Sequence, residues 1–428
     1  MTKDKTKDTA FSRFLIIWFG QLSSSIGSGL TAFALGVYVF HLTGSAANYS
    51  LILLAAFLPS FLLKPIGGAI ADRTDRRLMM VIGDAGAILG VVFIIILISL
   101  GVKSLWPIYT GSVISSIFVA LQNPAYKASV TDLLDEKSYS KGSGLVQLAE
   151  SSKFIISPLV AGLLLSIMNI KGVLIIDCLT FGIAIITVLW VKQKLNKKHK
   201  TDTNEKFIND FISGFKYTFS HKSLIILLCI ISLVTFFIGI LQGLLGPMIL
   251  AVASAKVFGA SQTIAAIGLL ISSLLIGIFD KSTKKITLLS ISLFFSGIFF
   301  ALMGVSPNII IITIFAFLFF LTLPFVNTSL DVLVRRNVAN NMQGRVWSIV
   351  SLISQLGMVI AFAAAGFIAD HIFNPLLLKN GALASSIGEI IGVGPCRGIG
   401  LIYIISGIFI AIIAVIINKL QILRKLDD

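Results

Sequence analysis

The sequence predicts an all-α membrane protein: twelve transmembrane helices arranged as two pseudo-symmetric six-helix bundles. Three observations predict it. The first is composition. Of the 428 residues, 56% are hydrophobic and 12% charged, against about 25% charged in an ordinary soluble domain, and the mean hydropathy is +0.98. Twelve helices of roughly 20 apolar residues need about 240, which is what that hydrophobic fraction supplies. The second is the placing of the cations. With the N-terminus inside, 27 of the 34 Lys and Arg fall in cytoplasmic segments and five outside, the positive-inside bias of a polytopic protein. The third is an internal echo. Asp72–Leu78 follows the second span and Asp280–Ile286 the eighth, while Pro124 pairs with Pro324 and Gly144 with Gly344. Such echoes mark two parallel repeats about an axis normal to the membrane.

Taken in order, the predicted spans are 14–40, 47–71, 78–100, 106–130, 143–168, 172–191, 223–251, 257–279, 286–305, 308–331, 346–372 and 399–418. Cationic inside segments separate alternate pairs: the start through Arg13, Arg73–Arg77, Lys127–Lys141, Lys192–Lys222, Lys281–Lys285, Arg335–Arg345 and the end from Lys419. Met1–Ala10 is polar and the run Phe14–Phe40 exceeds a signal-peptide core of about 7–15 residues, so no cleavage is expected. The chain divides into an N-terminal bundle (1–191), a cytoplasmic linker (192–222) and a C-terminal bundle (223–428). In the linker a basic stretch from Lys192 to Lys200 precedes Phe207, Phe211, Phe215 and Phe219. Their spacing of four makes one apolar stripe, expected as an interfacial helix on the inner leaflet.

Composition excludes a soluble enzyme, a nucleic-acid binder and a disordered chain. The length of the runs excludes an outer-membrane barrel, whose strands alternate over about 10 residues. The charge of +15 is read as orientation rather than as an affinity for nucleic acid. Cys178, Cys229 and Cys396 form no disulfide framework or metal pattern. The four histidines (His41, His199, His221, His371) show no metal spacing, so no cofactor, metal or enzymatic activity is expected.

Residues 68–77, Gly-Ala-Ile-Ala-Asp-Arg-Thr-Asp-Arg-Arg, closely resemble the loop between helices two and three of the major facilitator superfamily, with Asp75 where that family usually has glycine. Thr43-Gly44-Ser45-Ala46, Asp84, Asp177 and Gly344-Arg345-Val346 resemble the macrolide-efflux branch of its drug exporters. The resemblance covers nearly the whole chain. It implies a transporter working by alternating access. Physically, Gly68 lets another helix approach, Asp72 accepts from a helix N-terminus or an arginine, and Arg73, Arg76 and Arg77 sit at the anionic inner leaflet. Two readings stay open: topology-setting charges, or an inner gate of Gly68, Asp72, Arg73, Arg76, Arg77 and Arg345, with Asp72 against the start of span eleven near 341–346.

Charges inside spans cost about 2.5–3.5 kcal/mol on insertion scales, so each needs a reason. Glu150 and Lys153 are three apart on one face of span five; Asp84 and Asp177 lie about 10 Å into spans three and six. One reading makes Glu150, Lys153, Asp177 and Asp84 proton-coupling groups, because burial raises a carboxyl pKa. The other makes Glu150–Lys153 a structural ion pair and the aspartates helix-packing groups. Around Pro158, span five is similar to a degenerate antiporter motif with Lys153, Ser157 and Ala161 at glycine positions, and Pro158 bends the helix. Gln21 and Ser25 in span one, Gln122 and Asn123 before Pro124, Gln242, and Asn327 after Pro324 are candidates for a substrate cavity at broken helices, beside Phe33, Phe57, Phe236 and Phe237. The 371–400 segment is expected as a structured outer lid.

The expected function is secondary active export of a small amphipathic substrate, drug or macrolide-like, by proton antiport. The alternative is a facilitator or symporter of a small nutrient, which needs a more polar cavity. The expected setting is a monomer in the bilayer of the inner, cytoplasmic membrane with both termini inside.

Overall fold

The structure, a computed structural model, describes residues 2–191, 204–279 and 284–424. The basic stretch of the linker and Asp280–Thr283 lie outside the described residues, as do the side chains of Asp72, Arg73 and Phe207. Among the described residues the regular structure is helical, without strands.

The helices follow the apolar runs. They are α1 (Thr2–Thr43), α2 (Ala46–Arg73), α3 (Arg76–Ser99), α4 (Trp106–Leu133), α5 (Tyr139–Ile155), α6 (Ser157–Ile167), α7 (Ile170–Trp190), α8 (Asn204–Ser220), α9 (Lys222–Leu250), α10 (Ala255–Phe279), α11 (Lys285–Val305), α12 (Ile309–Arg336) and α13 (Gln343–Ile368). The short α14 (Asn374–Leu376) and α15 (Ile387–Ile391) precede α16 (Gly398–Lys419). Among the described residues ten helices are long and apolar enough to cross a membrane, and α5 with α6, bent by 41°, makes an eleventh. The twelfth predicted span is α4. It is long enough at 28 residues but falls short in apolarity, because Gln122, Asn123 and four serines dilute it, so the count of twelve is not confirmed.

The expectation of broken helices at Pro124 and Pro324 is corrected. Both α4 and α12 run through their prolines uninterrupted. A proline frees the carbonyl four residues earlier. In α4 that carbonyl is Ala120, and Gly67 of α2 stands against it so closely that a Cβ there would lie 2.2 Å from the oxygen. That close approach covers the freed acceptor with the backbone of α2. This also corrects the reading of Gly68: no described residue lies within 4 Å of a Cβ built there. Gly67 is the close-approach position. The true break falls at Ile156, just before Pro158, as that residue predicted.

By their contacts the residues form two compact units: Met1–Thr43 with Leu51–Thr201 and Ser254–Ala260, and Gly44–Ser50 with Asp202–Ala253 and Ser261–Asp428. In the first, α3 packs on α4 and α7, and α1 on α5 and α7; in the second, α11 packs on α12 and α16, and α9 on α13. The tightest seams use the same device. Gly90 and Gly111 join α3 to α4, and Gly297 and Gly407 join α11 to α16, each glycine against the other's carbonyl. Small residues let membrane helices meet where the hydrophobic effect gives no drive.

Two peripheral parts belong to the second unit. α8 rests on the start of α13 through its small face: Thr218 is buried, and a Cβ on Gly214 would meet the Arg345 carbonyl at 2.7 Å. The side chains of Phe215 and Phe219 are exposed, so the predicted phenylalanine stripe is not the packed face. The 371–400 segment has its own core of Leu377, Ile391 and Leu401. Buried Arg397 fastens it, donating to the carbonyls of Ile391 and Gly304. Burial pulls the pKa of this guanidinium down to about 10, which leaves it charged at neutral pH.

Candidate functional site

The polar residues that stood apart in the sequence converge inside the first unit. On α1, Gln21, Ser24, Ser28 and Thr31 recur at three or four and form one polar stripe. Gln21 is buried and serves as a bridge: its Nε2 donates to Asp84 Oδ2 of α3 at 3.1 Å, and its Oε1 accepts from Gln122 Nε2 of α4. The amide orientation follows from this chain, since a carboxylate accepts and cannot donate when ionised. Asp84 is 2% exposed and Asp177 1%.

Asp177 of α7 faces the other end of the stripe. The Thr180 hydroxyl lies 3.4 Å from its Oδ1. Thr31 is within electrostatic reach of the carboxylate but makes no hydrogen bond of ordinary geometry, so the donor has slack. Gly27 makes room: a Cβ there would fall 2.6 Å from Asp177 Oδ1. The Lys153 ammonium attracts the Asp177 carboxylate, and Asp84 and Asp177 repel one another. Lys153 sits three residues before the α5–α6 break at Ile156 and is exposed, so its charge is not sealed in packing.

Glu150 takes a different partner from the one its spacing suggested. Its Oε1 lies 2.7 Å from Lys127 Nζ of α4, with a third of the glutamate and half of the lysine side chain exposed. This separates Glu150 from Lys153, which is within electrostatic reach of Asp177.

At the predicted inner end, Arg76 donates to Asp132 Oδ1 at 2.8 Å and to the Ala128 carbonyl at 3.1 Å. Arg77 donates to the Val188 carbonyl at 2.8 Å and also to that of Leu189. These cations cap the C-termini of α4 and α7. Asp75 is the N-cap of α3, accepting from Arg77 N at 2.9 Å, which gives the departure from glycine a local use. The side chains of Asp72 and Arg73 lie outside the described residues. In the second unit Arg345 opens α13 beneath α8.

The remaining cavity candidates scatter. Ser25 and Gln242 are half-buried, and Asn123 and Asn327 are exposed. Phe237, within the second unit, lines an apolar cleft with Leu233, Leu293, Phe319, Leu323 and Ile413. Sequence reasoning missed Thr31, Thr180 and Asp132. Only the three-four spacing of Thr31 from Ser24 and Ser28 signalled any of them.

Comparison with known proteins gives a consistent picture. The Major Facilitator Superfamily model matches residues 17–362. Macrolide efflux protein A of Streptococcus pyogenes is 28% identical over 97% of both chains. The protein of that name from Enterococcus faecalis is 29% identical over 74% of this chain and 99% of its own. Among solved structures, the nucleoside transporter NupG superposes with a TM-score of 0.74, covering 96% of this chain and 100% of its own at 14% identity.

Proposed function

The chain belongs to the major facilitator superfamily and is a multi-pass membrane transporter, not an enzyme; from that premise we propose that it exports amphipathic, macrolide-like small molecules in exchange for protons. Its likeness to the macrolide efflux proteins along almost the whole length supports the substrate class and the direction. The observation that carries the coupling is the trio of two buried carboxylates, Asp84 and Asp177, with Lys153 beside them.

The mechanism is charge arithmetic. Fully ionised, the trio holds two negative charges in a low-dielectric interior, where an uncompensated charge is expensive, and one positive charge at its margin. One proton makes the trio neutral. Lys153 is the counter-ion of Asp177, and protonating that aspartate releases it. An element that feels this change takes up a different balance of two conformations. The α5–α6 break lies three residues from Lys153 and gives the span a joint at which to respond. Gln21 carries the state of Asp84 to α4 through Gln122, so α1, α3, α4, α5 and α7 all touch one charge network. Arg76, Arg77 and Arg345, with Asp72 and Arg73, form the inner gate in this proposal.

The test is accumulation of a macrolide and of a lipophilic dye in cells lacking other exporters, with and without a protonophore. Expression lowers accumulation, and the protonophore abolishes the difference. Accumulation unchanged across a broad panel removes the export reading. Export that ignores the protonophore removes the proton.

A further inference from the structure

The first turns of α2 are capped by a residue from the other end of the chain. Ser45 Oγ donates to Asp370 Oδ2 at 2.7 Å, Ala46 N to Oδ1 at 3.1 Å and Ala47 N to Oδ2 at 2.9 Å. Asn48 N is satisfied by Ser45 Oγ at 3.1 Å. The first three amides of α2, orphans by the geometry of any helix, are thus all satisfied, two of them by one carboxylate at the end of α13. Asn374 Nδ2, 3.3 Å from Oδ1, makes a fourth donor to Asp370.

The seat beneath that end is made of glycines. A Cβ on Gly366 would lie 2.4 Å from the Ala46 carbonyl, one on Gly246 would strike the Tyr49 ring, and Ser50 Oγ donates to the Gly243 carbonyl at 3.1 Å. Accordingly Gly44–Ser50 belongs to the second unit and α2 from Leu51 onward to the first. The helix also carries a joint. Where Ser60 N would bond the Ala56 carbonyl, the Ser116 hydroxyl stands between, accepting at 3.0 Å and donating at 2.7 Å, one residue past Pro59. An inserted side chain beside a proline is a recognised cause of helix bending.

We propose that Asp370 is the outer latch of the transport cycle, a positioning residue that holds the start of α2 on its glycine seat and releases it when the outer side opens. The contact suits a reversible latch. Asp370 and Ser45 are half-buried at the helix ends, so water replaces each hydrogen bond as it breaks, and release avoids the larger cost of an unsatisfied buried group. Charge on the carboxylate and the positive end of the α2 dipole favour the closed form. Flexing at Ser60 lets residues 46–50 leave while the rest of α2 keeps its packing. The inference rests on the transporter reading, but its test needs no substrate.

The reporter is Ser50→Cys, buried on the seat, in a variant whose three native cysteines are replaced by serine and which reaches normal membrane levels. Intact cells are treated with a membrane-impermeant maleimide. Labelling is slow in that parent. Asp370→Ala speeds it about tenfold, Asp370→Asn less, because one amide oxygen still accepts, and Ser45→Ala about twofold. The melting temperature of the purified protein is read in parallel. A purely structural cap would lower it without exposing Cys at position 50, and unchanged labelling in Asp370→Ala at normal membrane levels overturns the latch. Should Asp370→Ala fail to accumulate, Ser45→Ala decides, since it keeps the carboxylate and both amide donors; labelling equal to the parent then overturns the proposal. Export can fail while the labelling result stands, and the reverse, so the two readings fall separately.

Discussion

The two units use one packing scheme for opposite interiors. In both, a central helix (α3 or α11) is held to a neighbour by facing glycines. The first unit then buries Gln21, Asp84, Gln122 and Asp177 around its contact of α1, α3, α4 and α7. The second buries aromatics instead: Phe300 contacts Phe237, Phe319 and Tyr403 with ring centroids 4.9–6.3 Å apart. Counted from the first residue of each helix, the position of Asp84 in α3 is Leu293 in α11, a lining residue of the apolar cleft. The scaffold is therefore indifferent to what fills it. The buried carboxylates lie in the first half and the aromatic cluster in the second, which suits the proposed mechanism, with proton sensing in one and apolar surface in the other.

Four experiments break or sharpen that contrast. The largest effect is expected from Asp177→Asn and from Lys153→Met: each leaves the trio with a different charge, and protonophore-sensitive export should fall by at least about tenfold, one 1.4 kcal/mol step in coupling. Export retained in both variants would take the charge network out of the mechanism. Next is Leu293→Asp, which puts the first unit's charge at the matching place in the second. With no partner built for it, the cost is about 2.5–3.5 kcal/mol, read as lost membrane accumulation and a lowered melting temperature; a silent substitution would mean that the halves are interchangeable. Gln21→Leu comes third. It strands Asp84 and Gln122, at about 1–3 kcal/mol of stability, and partial loss of export should accompany it. The smallest effect is expected for Glu150→Gln. Its partly exposed pair with Lys127 is worth about 0–1 kcal/mol, and export should stay within about twofold. Abolished export there would return Glu150 to the centre of the mechanism.

The helices were legible because apolar runs of span length leave little choice, and the bend in span five was legible from Pro158. The paths of α4 and α12 were not. Whether a proline breaks a membrane helix depends on what meets the carbonyl it frees, and Gly67 reaches Ala120 only through tertiary packing. Gln21, Asp84 and Gln122 were each conspicuous as polar residues in apolar runs, but their meeting joins positions 63 and 101 apart, and no local spacing encodes that. For Glu150, local spacing misled: Lys153 is a helical neighbour, yet Lys127 on the adjacent helix offers the closer charge. The capping role of Asp370 gave no signal at all, because the three donors it takes at the start of α2 lie more than 320 residues away.

The modest apolarity of α4 bears on how the protein is made. A helix diluted by serines, Gln122 and Asn123 partitions poorly when it leaves the ribosome alone. Its companion α3 is apolar but for Arg76, Arg77 and Asp84, waits on the other side of a six-residue turn, and offers the Gly90–Gly111 seam and the Arg76–Asp132 clasp. Biogenesis should therefore insert these two as a hairpin, and lesions in the seam should surface as misthreaded nascent chains before any transport defect can be measured.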